Sequence, residues 1–246
     1  MRPGEIDKNK SFAQWENLVN LYLKLDINVQ TINQESEVPD MVFTADQGVV
    51  NGKTVLLSRF RHKQRQVETK YYKRWFLDNN YEIIDLPSGM NFEGNGELFF
   101  WNDLIFLGTG YRSDRDVAGI ISKFFGNKVV VLEIVDPAFY HLDVGFFPLN
   151  KATIFYYPKA YSLKSQKTLR NVVPNLIEFT KEEALGFCAN SVITDHHVIC
   201  QKGNNSFEKK LMKLGYKTYP VELSEFMKSG GGAHCLTNTL EESYES

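Results

Sequence analysis

The chain has 246 residues, of which 43% are hydrophobic, 13% aromatic and 24% charged, an ordinary globular composition that excludes a disordered or fibrous polymer. Its 28 basic and 30 acidic side chains leave a formal net charge of -2, so no basic excess recommends nucleic acid or an anionic membrane as a partner. The longest apolar runs, such as Val129 to Leu132, fall far short of the ~20 residues of a spanning helix.

A first helix is expected to carry Phe12, Trp15, Leu18, Val19 and Tyr22. An apolar strand around Met41 to Ala45 follows, then a turn at Asn51-Gly52 and a strand over Thr54 to Ser58, the strongest short hairpin signal in the chain. The stretch from about Arg65 to Leu77 reads as a helix with Val67, Tyr71 and Trp75 on its apolar face, and Tyr81 to Leu86 as a strand. The same order recurs: Leu98 to Trp101, a turn at Asn102-Asp103, Leu104 to Leu107, a helix from about Asp114 to Phe125, and the strand Lys128 to Val135. A third hairpin joins Val144 to Phe147 and Ala152 to Tyr156 through Asn150-Lys151. A fourth joins Ser191 to Thr194 and Val198 to Cys200 through Asp195-His196, ahead of a helix from about Ser206 to Leu214 and the strand Lys217 to Val221.

Each unit reads hairpin, helix, strand, and the spacing is nearly constant. Asp46 to Glu93 is 47 residues, Glu93 to His141 and His141 to Ala189 are 48 each, and Ala189 to Cys235 is 46. Such a period marks a repeat architecture, and five units of about 49 residues account for the whole chain as one domain over residues 1–246. Small sheets repeated about an axis form a propeller whose inner strands converge, so Asp46, Glu93, His141 and Cys235 are expected in one central crevice. Asp143, two residues after His141, is expected on the same strand face.

These are carboxylates, an imidazole and a thiol. Cys235 follows Gly230-Gly231-Gly232, whose missing Cβ atoms let backbone approach a ligand closely. A thiol presented beside a histidine is the general pattern of an activated cysteine. His234 adjoins Cys235, but on an extended segment adjacent side chains face opposite ways, which favours His141 as acid and base. Cys188 and Cys200 read as buried small hydrophobes. The three cysteines form neither a disulfide framework nor a paired metal-ligand spacing. With no apolar signal segment at Met1 to Asp7, a cytoplasmic protein is expected.

Taken in order, these segments resemble the guanidino-group modifying enzymes of the pentein fold, a five-bladed α/β propeller of ββαβ units. That superfamily includes arginine deiminases, arginine dihydrolases, dimethylarginine dimethylaminohydrolases, agmatine deiminases and amidinotransferases. Six motifs carry the likeness: Asp40 to Asp46, Arg65 with Glu68, Phe92 to Glu97, Gly110 to Ser113, Tyr140 to Asp143, and Gly231 to Thr237. The resemblance implies Cys235 as nucleophile, His141 as acid and base, and Glu93 as its orienting carboxylate. It implies Asp46 and Asp143 on the substrate guanidinium, Arg65 and Arg112 on an α-carboxylate, and Asp40 and Phe43 as further substrate contacts. The chemistry agrees, since a planar cation rich in forked N–H donors is matched by bidentate carboxylates. The implied reaction is thiolate attack on the guanidinium carbon, a covalent thiouronium adduct, and release by water, with no metal or organic cofactor.

Asp143 stands where dimethylarginine hydrolases usually have lysine, and Ala45 where they have glutamate. Those departures point toward arginine deiminase-like or dihydrolase-like chemistry. Arginine dihydrolases usually read Asn where Asp46 stands, which turns the reading toward deimination. Transfer of the amidino group to an amine, dimethylarginine hydrolysis and a non-catalytic pentein binding module are the alternatives. Relatives generally begin with a strand ahead of the first helix, for which Arg2-Pro3-Gly4 leaves no room, so either a mis-set gene start or a first blade lacking that strand is expected. The apolar surface beside it makes a homodimer an expectation as well.

Overall fold

A computed structural model describes residues 6–240 of the chain, so the expected gap before the first helix lies outside the described residues. Asp7 caps the first helix, α1 (Lys8–Lys24), by accepting from the Lys10 N–H at 3.0 Å. Four units of one design follow. In the first, strands β1 (Gly48–Asn51) and β2 (Thr54–Leu57) form an antiparallel hairpin, helices α2 (Lys63–Gln66) and α3 (Glu68–Asp78) cross over, and β3 (Glu82–Ile84) returns parallel to β2. The second unit has β4 (Leu98–Trp101), β5 (Leu104–Thr109), α4 (Val117–Phe125) and β6 (Lys128–Glu133). The third opens with a one-turn helix α5 (Leu142–Gly145), then β7 (Phe146–Pro148), β8 (Thr153–Tyr156), α6 (Leu163–Val172) and β9 (Asn175–Glu178). Helix α7 (Lys181–Leu185) leads to the fourth, with β10 (Val192–Thr194), β11 (His197–Gln201), α8 (Asn205–Lys213) and β12 (Lys217–Val221), and α9 (Ser224–Ser229) follows.

Every sheet therefore has three strands in sequence order, the first pair antiparallel and the second parallel. A parallel return requires a crossover, and in each unit a helix supplies it. Three of the four hairpins have two-residue loops, and their first loop residues, Gly52, Asn102 and Asp195, adopt positive φ of 58°, 52° and 48°. That conformation suits Gly, Asn and Asp and matches the twist of the flanking strands. The loops also join neighbours. Asn51 donates to the Phe124 carbonyl, Asn102 to that of Lys151, and Asn150 to the Tyr216 hydroxyl.

Several expected elements differ. Met41 to Ala45 is not a strand: residues Pro39–Val42 and Thr44–Gln47 form two 3-10 turns, and pairing with β2 begins at Gly48. Here Ala45 N–H donates to the Cys235 carbonyl at 3.1 Å instead of to a strand neighbour. Val144 belongs to α5, so His141 and Asp143 are not on one strand face. The expected helix from Arg65 breaks at Val67, which separates α2 from α3. No fifth three-stranded sheet occurs among the described residues. The chain outside the four units instead packs α1 against the C-terminal segment: Leu18, Tyr22, Phe226, Ala233, Cys235 and Leu236 share one apolar cluster, and Tyr22 Oη lies 2.6 Å from Thr237 Oγ1.

Candidate active site

The 3-10 turn over Thr44–Gln47 buries Asp46, and the one over Gly94–Gly96 follows Glu93. Glycine is required here. A Cβ on Gly96 would stand 2.5 Å from Asp46 Oδ1 and 2.9 Å from His141 Nδ1, and one on Gly231 would collide with the Phe43 ring. His141 sits just ahead of α5, its Nε2 2.8 Å from Glu93 Oε2 and its Nδ1 3.5 Å from Asp46 Oδ1. Cys235 Sγ donates to Asp143 Oδ2 at 3.1 Å. Asp40, Phe43, Asp46, Arg65, Arg112 and Cys235 line one small cavity of about 10 Å³, with Tyr140, Ser229 and Gly231 completing its wall. The structure thus brings the nine expected residues to one place.

Burial opposes charge on the His141 imidazole, but Asp46 and the Glu93 hydrogen bond outweigh it and hold the group up at about 9. Burial likewise pushes Glu93 up, yet the hydrogen bond and charge of His141, with Arg112, bring it down to about 2. Burial, then the charges of Asp143 and Asp46, push the Cys235 thiol well up, which favours its neutral form. Burial also raises Glu97 to about 8 behind this layer, where its Oε2 accepts from the Leu142 N–H at 3.2 Å.

These shifts predict a pH dependence. A raised histidine contributes fully below its unfolded value near 6.5 and loses that contribution as pH rises through about 9. The depressed Glu93 contributes fully above about 4.5 and loses it as pH falls through about 2. The difference in melting temperature between the native protein and His141→Asn is therefore expected to shrink as pH rises from 6.5 toward 9. Thermal melts across that range check it; a difference that grows with pH would contradict it.

Three buried polar atoms of the site have no hydrogen-bond partner among the described residues: Asp46 Oδ1, Asp143 Oδ1 and His141 Nδ1. Asp143 Oδ1 meets no donor and Asp46 Oδ1 only the long 3.5 Å approach of His141 Nδ1, an arrangement that suits a cation with several N–H groups. The two arginines differ. Arg65 grips Glu68 with Nε and Nη2, both at 2.9 Å, reaches Asp46 Oδ2 with Nη1 at 2.6 Å, and donates to the Asp40 carbonyl at 3.3 Å. Arg112 uses Nη1 on Glu93 at 2.9 Å and lies over the Tyr140 ring.

Two residues near Cys235 were not expected there. Residues 233–236 form a turn, not an extended segment, so His234 does not point away: its Nδ1 lies 3.0 Å from Asp143 Oδ2 and its ring packs on Phe99. Asn190 touches the sulfur itself. The near-constant period had pointed one residue short of it, to Ala189. Among the described residues, no cluster of three or more His, Cys, Asp or Glu side chains could hold a metal ion, and no helix is long and apolar enough to cross a membrane.

A cysteine from the C-terminal loop, with a histidine–glutamate pair and two carboxylates from the starts of the first three ββαβ units, places the molecule among the guanidino-group modifying enzymes of the pentein fold. A family model described as N,N dimethylarginine dimethylhydrolase, eukaryotic, matches residues 2–241, and the chain belongs to that family. It is 35% identical, over 97% of its length, to the bifunctional arginine dihydrolase/ornithine cyclodeaminase ArgZ of Synechocystis sp., of which it covers 35%. The chain therefore spans about a third of that relative. It is 34% identical to the N(G),N(G)-dimethylarginine dimethylaminohydrolase of Mycobacterium tuberculosis, covering 94% of this chain and 76% of the relative. The N-terminal domain of ArgZ, solved covalently bound to a reaction intermediate, superposes with a TM-score of 0.93 at 34% identity, covering 98% of this chain and 91% of that one.

Proposed function

We propose that the chain is a cysteine-dependent hydrolase of the terminal guanidinium of arginine or a close derivative. The observation that carries this reading is a pair of buried oxygens that make no hydrogen bond, Asp46 Oδ1 and Asp143 Oδ1, the first from a residue lining the cavity of Cys235 and the second from the carboxylate that touches its sulfur. A guanidinium filling both would leave its central carbon facing Sγ. Arg112, with donors beyond its Glu93 contact, takes the α-carboxylate, whereas Arg65 is committed to Asp46 and Glu68 and positions them.

The arriving cation offsets the two carboxylates and makes ionisation of the thiol favourable. The thiol proton passes to Asp143 as the C–S bond forms. His141, charged and held by Glu93, donates a proton to the departing nitrogen, and ammonia leaves a thiouronium on Cys235. Neutral His141 then takes a proton from the attacking water, the C–O bond forms, and the C–S bond breaks. Sulfur recovers its proton from Asp143, and the proton freed as the ureido carbonyl forms leaves with ammonia as ammonium.

A single hydrolysis is favoured. The ureido product is neutral and presents a carbonyl oxygen, which the carboxylates of Asp46 and Asp143 repel, so it leaves before a second attack. Incubation with L-arginine is expected to yield citrulline and ammonium in equal amounts. Ornithine with two equivalents of ammonium would replace deimination by dihydrolysis. A second reading, hydrolysis of methylated arginine, is supported by the Phe43 ring packed against Gly231 beside Cys235, an apolar wall that suits a methyl group. The same incubation with dimethylarginine decides between them: dimethylamine released faster than ammonium from arginine favours the methylated substrate.

A further inference from the structure

The starts of the first three units supply Asp46, Glu93 and His141, and the C-terminal loop supplies Cys235. The fourth unit reaches the same centre with Asn190, in the bend between α7 and β10, where it is fully buried. Its amide is used at both ends. Oδ1 accepts from the backbone N–H of Gly232 at 2.8 Å and of Cys235 at 3.1 Å. Nδ2 donates to Cys235 Sγ at 3.0 Å and to the Asp143 carbonyl at 3.4 Å. The orientation of the amide follows from its partners. Backbone N–H groups only donate and the carbonyl only accepts, so the reversed amide would set donor against donor and acceptor against acceptor.

We propose that Asn190 is a further catalytic residue, whose side-chain N–H stabilises the Cys235 sulfur as thiolate; this rests on the cysteine-hydrolase reading above. A thiol sulfur is a weak acceptor and a thiolate a strong one, so the same contact is worth more after ionisation. It opposes the neighbouring carboxylates both when the nucleophile forms and when sulfur departs from the adduct, and interactions that strengthen along the reaction raise the rate. Among the described residues no other side chain donates a hydrogen bond to this sulfur. The same amide fixes the backbone around Cys235, so the donor is rigidly aimed.

The substitution Asn190→Asp separates the two duties. It keeps an acceptor for the Gly232 and Cys235 N–H groups and removes the donor to sulfur. The probe is 2-chloroacetamidine, a small cation whose chloride is displaced by the thiolate to form a C–S bond, with the site of labelling mapped by peptide mass spectrometry. The maximal labelling rate of Cys235 is expected to fall by about tenfold to a hundredfold, the size of one charge-assisted hydrogen bond, with half-saturation by the probe not weakened. A labelling rate equal to that of the native protein overturns the proposal. Should the variant not fold, the native protein answers: the side-chain amide proton resonances of Asn190 are expected to shift when Cys235 is alkylated, and unmoved resonances overturn it. Neither readout requires turnover of arginine, so a protein that labels as expected yet releases no ammonium counts against the hydrolase reading alone.

Discussion

Cys235→Ala is expected to abolish guanidine hydrolysis, lowering turnover by about 10⁴-fold or more, while the protein melts close to the native temperature. The sulfur is the only thiol that touches Asp143 and lines the cavity with Asp46; Cys188 and Cys200 lie in the separate core cluster around Phe147 and Phe207. The fold survives because the substitution removes one atom from a site whose neighbours keep other partners. Asp143 Oδ2 retains His234, and Asn190 retains the Gly232 and Cys235 backbone N–H groups and the Asp143 carbonyl. Serine is not expected to rescue the reaction, since a hydroxyl ionises far less readily than a thiol among the same anions. Product formed by the alanine variant at the native rate would end the hydrolase reading.

The second large effect is on stability. Arg65→Ala is expected to destabilise the fold by about 3–5 kcal/mol, because it removes the guanidinium shared by two buried carboxylates and leaves them only His141 and Gln47. Asp46 and Glu68 are both almost wholly inaccessible, and Arg65 is their shared counter-charge, stacked over the Phe60 ring. Lysine is expected to recover little, since one ammonium cannot reproduce the planar fork that meets both. A clamp for the α-carboxylate of substrate behaves differently: its removal raises KM and spares the fold. Urea titration of Arg65→Ala beside Arg112→Ala distinguishes these roles. A native midpoint for Arg65→Ala would return Arg65 to the substrate.

Much of this arrangement was legible in the chain, for identifiable reasons. Two-residue loops demand positive φ, so Asn51-Gly52, Asn102-Asp103 and Asp195-His196 announced hairpins that the structure contains. A regular period then aligned Asp46, Glu93, His141 and Cys235. What misled was local geometry near the centre. The apolar spacing of Met41 to Ala45 suits a strand, yet Pro39 and the bond from Ala45 to Cys235 hold it in 3-10 turns. His234 would face away from Cys235 on an extended segment, but residues 233–236 form a turn that brings it to Asp143. Asn190 lies one residue beyond the Ala189 to which the period points, and only its contacts reveal that it faces sulfur.

The hairpin loops that tie each unit to the next carry a consequence for assembly. Asp46, Glu93, His141, Asn190 and Cys235 are separated by tens of residues, and no unit alone contains both the nucleophile and its acid. A partly folded chain can hold finished hairpins yet possess none of the chemistry. Recovery of turnover after dilution from denaturant therefore reports the last docking event, and its lag behind the return of far-ultraviolet circular dichroism measures how long the prefabricated pieces wait to be joined.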